Sequence, residues 1–234
     1  MTGFGWEELG ARAELGAVAQ AAADAIAAVH RRPVSLRKPE LTGAESVLRG
    51  ARMSALIDAP SSRSLDPDDP GVRRAIDVYS VLAPSVAQQT ARALTRSPMQ
   101  VLARMDVLAG GPGRPLSDFA AQRVLRLGQL ISDTRPRGRL GDALIPQVVH
   151  AEILVARPFG ARSGLIARAA CRAMAVASGF DPRGLAVPET YLNRNRAAYL
   201  EAQAGAETVG LIRLVVQAWA AGAQEAEGIA RAAG

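Results

Sequence analysis

Aromatic residues make up only 4% of this 234-residue chain, and it has one cysteine, two histidines and, in Lys38, a single lysine. Each shortage excludes something. One cysteine leaves no disulfide framework and no cysteine-built metal cluster. Cys171 lies among apolar residues with helical spacing, where a small buried hydrophobe is the simple reading. With so few aromatics, a hydrophobic share of 49% must be mostly Ala, Leu, Val and Ile. Ala and Leu favour helix, and few runs alternate with period two, so the expected fold class is all-α. No uncharged apolar run is long enough for a membrane span; even residues 211–223 are interrupted by Arg213. Glu7 and Glu8 stand where a secretory leader would be basic and then apolar. A soluble, cytoplasmic protein without membrane contact is expected.

The formal net charge is +6 and the pI about 10.5, which raises the question of nucleic acid. Almost all of the 28 basic residues are arginine, spread along the chain without an aromatic-interleaved block. A GC-rich genome produces the same Ala, Arg and Gly bias, and no nucleic-acid partner is expected. Arg135, Arg137 and Arg139 form a short basic linker whose default state is solvated.

Helical periodicity and breakers divide the chain. Helices are expected over 7–30 (stopped by Pro33), 43–58, 71–95 with a break at Pro84, and 98–109 behind a Ser97 cap. Others are expected over 116–132, 189–203 and 206–232. Residues 59–70, rich in Pro, Ser and Asp, read as a turn that caps the next helix; Pro67 and Pro70 break any calcium-loop pattern. The expected organisation is an N-terminal helical extension over 1–43 and one helical domain over 44–234.

The segment that suggests chemistry is a helical run from Ile145 to Ala156, a tight loop from Arg157 to Ser163, and a second helical run from Gly164 to Ala177. Pro158 halts the first helix, Gly160 and Gly164 supply backbone freedom, and Ser163 is a good N-cap. Such a loop feeding a helix start aims backbone N–H groups at one point, a physical anion site. Arg162 and Arg168 add positive charge to it. The expected phosphate-binding set is Gly160, Arg162, Ser163, Gly164 and Arg168, with no metal-ligating group.

His150 followed by Arg157-Pro158-Phe159-Gly160-Ala161-Arg162-Ser163-Gly164-Leu165-Ile166-Ala167-Arg168 resembles the Fic (Fido) signature HPFx(D/E)GNGRxxR with its preceding non-catalytic His. His150, Pro158, Phe159, Gly164 and Arg168 match. The family's general-base His falls at Arg157, its Mg²⁺ carboxylate at Ala161, its Asn at Ser163 and its first phosphate-binding Arg at Leu165. Asn195-Arg196-Ala197-Ala198-Tyr199 resembles the family's post-signature Asn-Arg-x-x-Tyr. Ser54 to Ala59 partly resembles its inhibitory motif (S/T)xxxE(G/N), with Asp58 in the Glu position. The resemblance spans roughly residues 44–200.

It implies a Fic-like helical bundle around a central helix–loop–helix, with an inhibitory-like helix before it. The family moves AMP, or another phosphate-containing group, onto a protein hydroxyl. A guanidinium at Arg157 cannot take the hydroxyl proton, and a missing base alone costs about 10²–10⁴-fold in rate. The resemblance therefore implies a pseudoenzyme with no intact catalytic residue, ATP or another nucleotide as ligand, doubtful Mg²⁺, and an unidentified protein partner. A residual protein AMP-transferase and a purely structural or regulatory interaction module stay open beside it. Ser54 and Asp58 take the regulatory role. On this reading Asp58 lies within about 6 Å of Arg168, and Phe159 is packed inside.

Overall fold

A computed structural model describes residues 6–59, 66, 68–133, 135, 137–205 and 208–234. Among them are thirteen α-helices and no strand, so the chain is all-α. In chain order they are α1 (Trp6–Ala11), α2 (Leu15–His30), α3 (Pro33–Arg37), α4 (Pro39–Asp58), α5 (Pro70–Tyr79), α6 (Pro84–Arg96) and α7 (Pro98–Leu108). After these come α8 (Asp118–Ile131), α9 (Gly138–Ala156), α10 (Ser163–Ser178), α11 (Pro188–Arg194), α12 (Arg196–Ala204) and α13 (Thr208–Ala233).

The hairpin of α9 and α10 occupies the centre. Of the sixteen residues of α10, thirteen are buried, so its neighbours surround it. Helices α4, α5 and α6 pack on one side, while α13, flanked by α2 and α11, packs against α9. A single apolar core runs from Leu15, Ile26 and Val29 of α2 through Ile166 and Met174 of α10 to Val216 and Trp219 of α13. Its filling is aliphatic, as the composition requires. Cys171 is buried in it, its thiol donating to Gln147 Oε1 while burial raises its pKa.

Several boundaries follow the breakers. The chain turns at Ala83 before Pro84 and ends α10 at Gly179, whose φ of 80° suits a residue without Cβ. Asp69 caps α5 by accepting from the N–H groups of Gly71 and Val72. Other expectations need correction. The helix expected over 7–30 is interrupted at 12–14, where Glu14 adopts a left-handed conformation (φ 57°) that no local sequence signal announces. Helix α9 begins at Gly138 and carries Pro146 inside it, so the last part of the expected basic linker, with Arg139, is helical. The helix expected over 189–203 breaks at Asn195, and Ser97 makes no side-chain cap bond. Arg135 pairs with Asp133, and Arg137 donates to carbonyls at the end of α8, so neither awaits an acidic partner. Residues 60–65 and 67 of the expected turn, with 206 and 207 of the last helix, lie outside the described residues.

Candidate functional site

The loop between α9 and α10 is tied to itself. Arg157, exposed, takes the left-handed conformation (φ 44°, ψ 46°) that ends α9. Pro158 is buried, and Phe159, 1% exposed, sits in the core as the resemblance requires. The Phe159 N–H donates to Ser163 Oγ at 3.0 Å. The Gly160 N–H goes to the Arg157 carbonyl, that of Arg162 to Phe159, and that of Ser163 to Gly160. Four of the loop's amides, three of them from the expected phosphate-binding set, are therefore spent inside the loop. Ser163 is not the N-cap; it is the first residue of α10, and its hydroxyl braces the loop instead.

Arg162 also points elsewhere. Its Nε donates to Asp106 Oδ1 at 2.7 Å, and Asp106, fully buried, accepts from Gly113 N–H through Oδ2. This pins the turn after α7 against the loop, where the Leu116 N–H also donates to the Pro158 carbonyl. Gly160 faces Leu116: a Cβ there would lie 2.9 Å from a Leu116 methyl. Of the five expected phosphate ligands, Gly160, Arg162 and Ser163 thus have structural roles in the loop.

Gly164 and Arg168 do come together, and Ser54 and Asp58 come with them. Helix α4 runs antiparallel to α10, and its last two turns lie over the first turns of α10. Arg168 is 2% exposed; its Nε donates to Ser54 Oγ at 2.7 Å and its Nη2 to Asp58 Oδ2 at 2.6 Å. Nη2 also reaches the Ser54 carbonyl at 3.3 Å. Gly164 lets the pair close, because a Cβ there would come 3.3 Å from both Asp58 Oδ1 and Arg168 Nη1. The carboxylate lies beside the positive end of the α10 dipole. Burial pulls the Arg168 pKa down, but the charge of Asp58, Tyr199, Tyr79 and the Asp58 hydrogen bond together outweigh this and leave it above the ordinary value. Asp58, by contrast, keeps 40% of its side chain exposed.

Two further residues frame the pair. His150 is buried with Nε2 2.8 Å from the Tyr199 hydroxyl, and its Nδ1 has no partner. Burial, then the Arg168 charge, depresses its pKa to about 3, so the ring is neutral. Arg196 donates through Nε to the Ile57 carbonyl at 2.7 Å, closing the end of α4 beside Asp58. Position by position, Arg157 and Ala161 stand exposed where the family resemblance puts a base and a metal ligand. Among the described residues no three His, Cys, Asp or Glu side chains gather in a way that would hold a metal ion.

Comparison with models of known protein families and with curated proteins gives no match.

Sequence reasoning missed a second buried arginine. Arg172, one turn beyond Arg168, donates to Ser46 Oγ at 2.7 Å and to the Gly184 carbonyl at 2.8 Å. Its Nη1 lies 3.6 Å from Glu189 Oε2, and Glu189 accepts from the Tyr79 hydroxyl at 2.8 Å. The signal was present. Ser46, Gly50, Ser54 and Asp58 recur every fourth residue on α4, a stripe with room and oxygen atoms for two guanidinium groups spaced i, i+4 on a facing helix. A Cβ at Gly50 would come 2.4 Å from Arg172 Nη1.

Proposed function

We propose that this chain is a Fic-type pseudoenzyme: a helical scaffold with a phosphate site at the first turn of α10 that Asp58 holds shut. The observation that carries this is the Asp58–Arg168 contact at 2.6 Å, formed over Gly164 and supported by Ser54. A carboxylate bound to a buried guanidinium at a helix start has the chemistry of a stand-in for phosphate. The ligand class is then ATP or another nucleotide, whose phosphate would displace Asp58 from Arg168. Group transfer is not supported. Arg157 stays protonated and cannot take a proton from a hydroxyl, and Ala161 offers no oxygen to Mg²⁺.

Calorimetry with ATP, ADP and inorganic phosphate, each with and without Mg²⁺, tests the reading on wild type and Asp58→Ala. The variant is expected to bind at least about tenfold more tightly than wild type, a difference of about 1.4 kcal/mol. No heat from either protein at millimolar ligand removes the proposal. That outcome favours the second reading, a module that meets a protein partner and binds no nucleotide. Four loop amides and the side chains of Arg162 and Ser163 engaged within the protein support this alternative. Residual AMP transfer is checked with labelled ATP: wild type should pass no label to protein, and label that persists in Arg157→Ala would mean the base has been misassigned.

A further inference from the structure

The α9–α10 hairpin has an open end as well as a looped one. The sixteen residues of α10 put that end about 24 Å from Ser163 at 1.5 Å per residue. Helix α2 crosses it, with Gly16 beside Leu140 of α9 and His30 bonded to Asp181 beyond α10. Between α2 and the hairpin lies a cleft of about 600 Å³, within the size range of small-molecule sites. It is remote from Arg168 and shares no residue with the site described above.

The cleft is open because of what α2 puts on its floor. Gly16, Ala19, Ala23 and Ala27 follow one another at helical spacing and line it with almost no side-chain volume. Its charged groups lack partners. Arg139, next to Leu140 at the Gly16 end, and Arg31, next to His30 at the other, have no ion pair or side-chain hydrogen bond within the described residues. Arg32 and Arg183, close by in sequence to Arg31 and in space to His30, are both paired, to Glu227 and to His30. Asp142 on the α9 wall is half-buried, also without an ion pair, and burial raises its pKa. Its backbone carbonyl lacks the usual helical donor, since Pro146 has no N–H. His30 is engaged within the fold. Arg183 Nε–H donates to its Nδ1 at 2.9 Å, which places the ring proton on Nε2 against Asp181 at 2.6 Å. Both nitrogens are occupied, which leaves Arg31, Arg139 and Asp142 as the groups free to meet a guest.

We infer that this cleft binds an elongated amphiphilic organic anion: the apolar body lies along the small-residue floor, and the acid group meets an unpaired arginine at the cleft end. Asp142, through its side chain, accepts from a hydroxyl or amine on the body. The inference does not depend on the Fic-type reading, and none of its test variants touches α4 or the signature loop.

Fluorescence titration of the full chain with 8-anilinonaphthalene-1-sulfonate, followed by competition with dodecanoate, tests it. One saturable site is expected, displaced by dodecanoate. Ala23→Phe fills the floor and should weaken binding by about tenfold or more, whereas the double variant Arg31→Ser/Arg139→Ser should lose about tenfold for the sulfonate and little for uncharged N-phenylnaphthylamine. Because the arginine variant alters only exposed side chains, it stays informative should Ala23→Phe fail to fold. Phe119→Ser, which removes an exposed aromatic one turn before the Arg123 that pairs with Glu152, toward the end of α9 opposite the cleft, should leave binding unchanged. The inference is overturned by non-saturable binding, by affinity that ignores both cleft variants, or by binding lost in Phe119→Ser.

Discussion

Arg168 and Arg172 leave α10 on one face, a turn apart, and meet the same stripe of α4, yet their carboxylate partners differ in access to water. Glu189, opposite Arg172, is 1% exposed, whereas Asp58, opposite Arg168, is 40% exposed. Arg172 is closed in by Ser46, Gly184, Glu189 and the face of Tyr79, whose ring centre lies 5.9 Å from the guanidinium carbon. A buried pair of that kind is hard to separate without stranding a charge. Arg168 is as deeply set, but its partner is reached by solvent, so an anion from outside can take the place of Asp58 without leaving the guanidinium unpaired. The two neighbours show how one helix face can hold a permanent joint and an exchangeable one.

The largest expected effect breaks the permanent joint. Arg172→Ala strands Glu189 in the core and should cost about 3–5 kcal/mol in urea unfolding, and Gly50→Val should act similarly by driving a side chain into the same guanidinium. A loss under about 1 kcal/mol would mean Glu189 is relieved by some other route.

An intermediate effect comes from the ring that borders Arg168. His150 is held to about 3 in the folded chain and returns to 6.5 on unfolding. The unfolded chain alone therefore takes up this proton between those values. Its contribution is intact above about pH 6.5 and declines as pH falls toward 3, by up to about 1.4 kcal/mol per pH unit. Unfolding free energies for wild type and His150→Gln should diverge in slope below about pH 6. Superimposable slopes would show that the ring is not what titrates.

The smallest effect sharpens the contrast. Asp58→Asn should cost less, about 1–3 kcal/mol, because the amide oxygen still accepts from Arg168 and solvent reaches the partner. Added sulfate should recover part of that loss through Arg168, and none of the loss in Arg172→Ala. Equal costs for the two variants would erase the distinction between the joints.

Much of the fold was legible. Pro33, Pro84, Pro98 and Gly179 stop or start helices for steric reasons that act within a few residues, and the structure follows them. Glu14 and Asn195 interrupt helices in places where local preference gives no warning, because tertiary packing decides there. Pro146 lies inside α9, where a helix anchored on both sides in the core tolerates one lost hydrogen bond. At the site, the meeting of Asp58 with Arg168 was anticipated within its stated distance, and Phe159 was placed inside. The destinations of Arg162 and Ser163 were not. Asp106 lies 56 residues before Arg162 in the chain, and nothing near either residue marks the other. The four-residue stripe on α4 was readable as a pattern, but a pattern of small residues does not name what will fill it.

Pro146 has a further consequence for motion. The turns of α9 before it, which form one wall of the cleft, are fastened to the remainder of the helix by one fewer hydrogen bond than a continuous helix would have. Amide protons of residues 141–145 should therefore trade for deuterium well before those of 149–156, and a guest in the cleft should slow the early group while leaving the late one untouched.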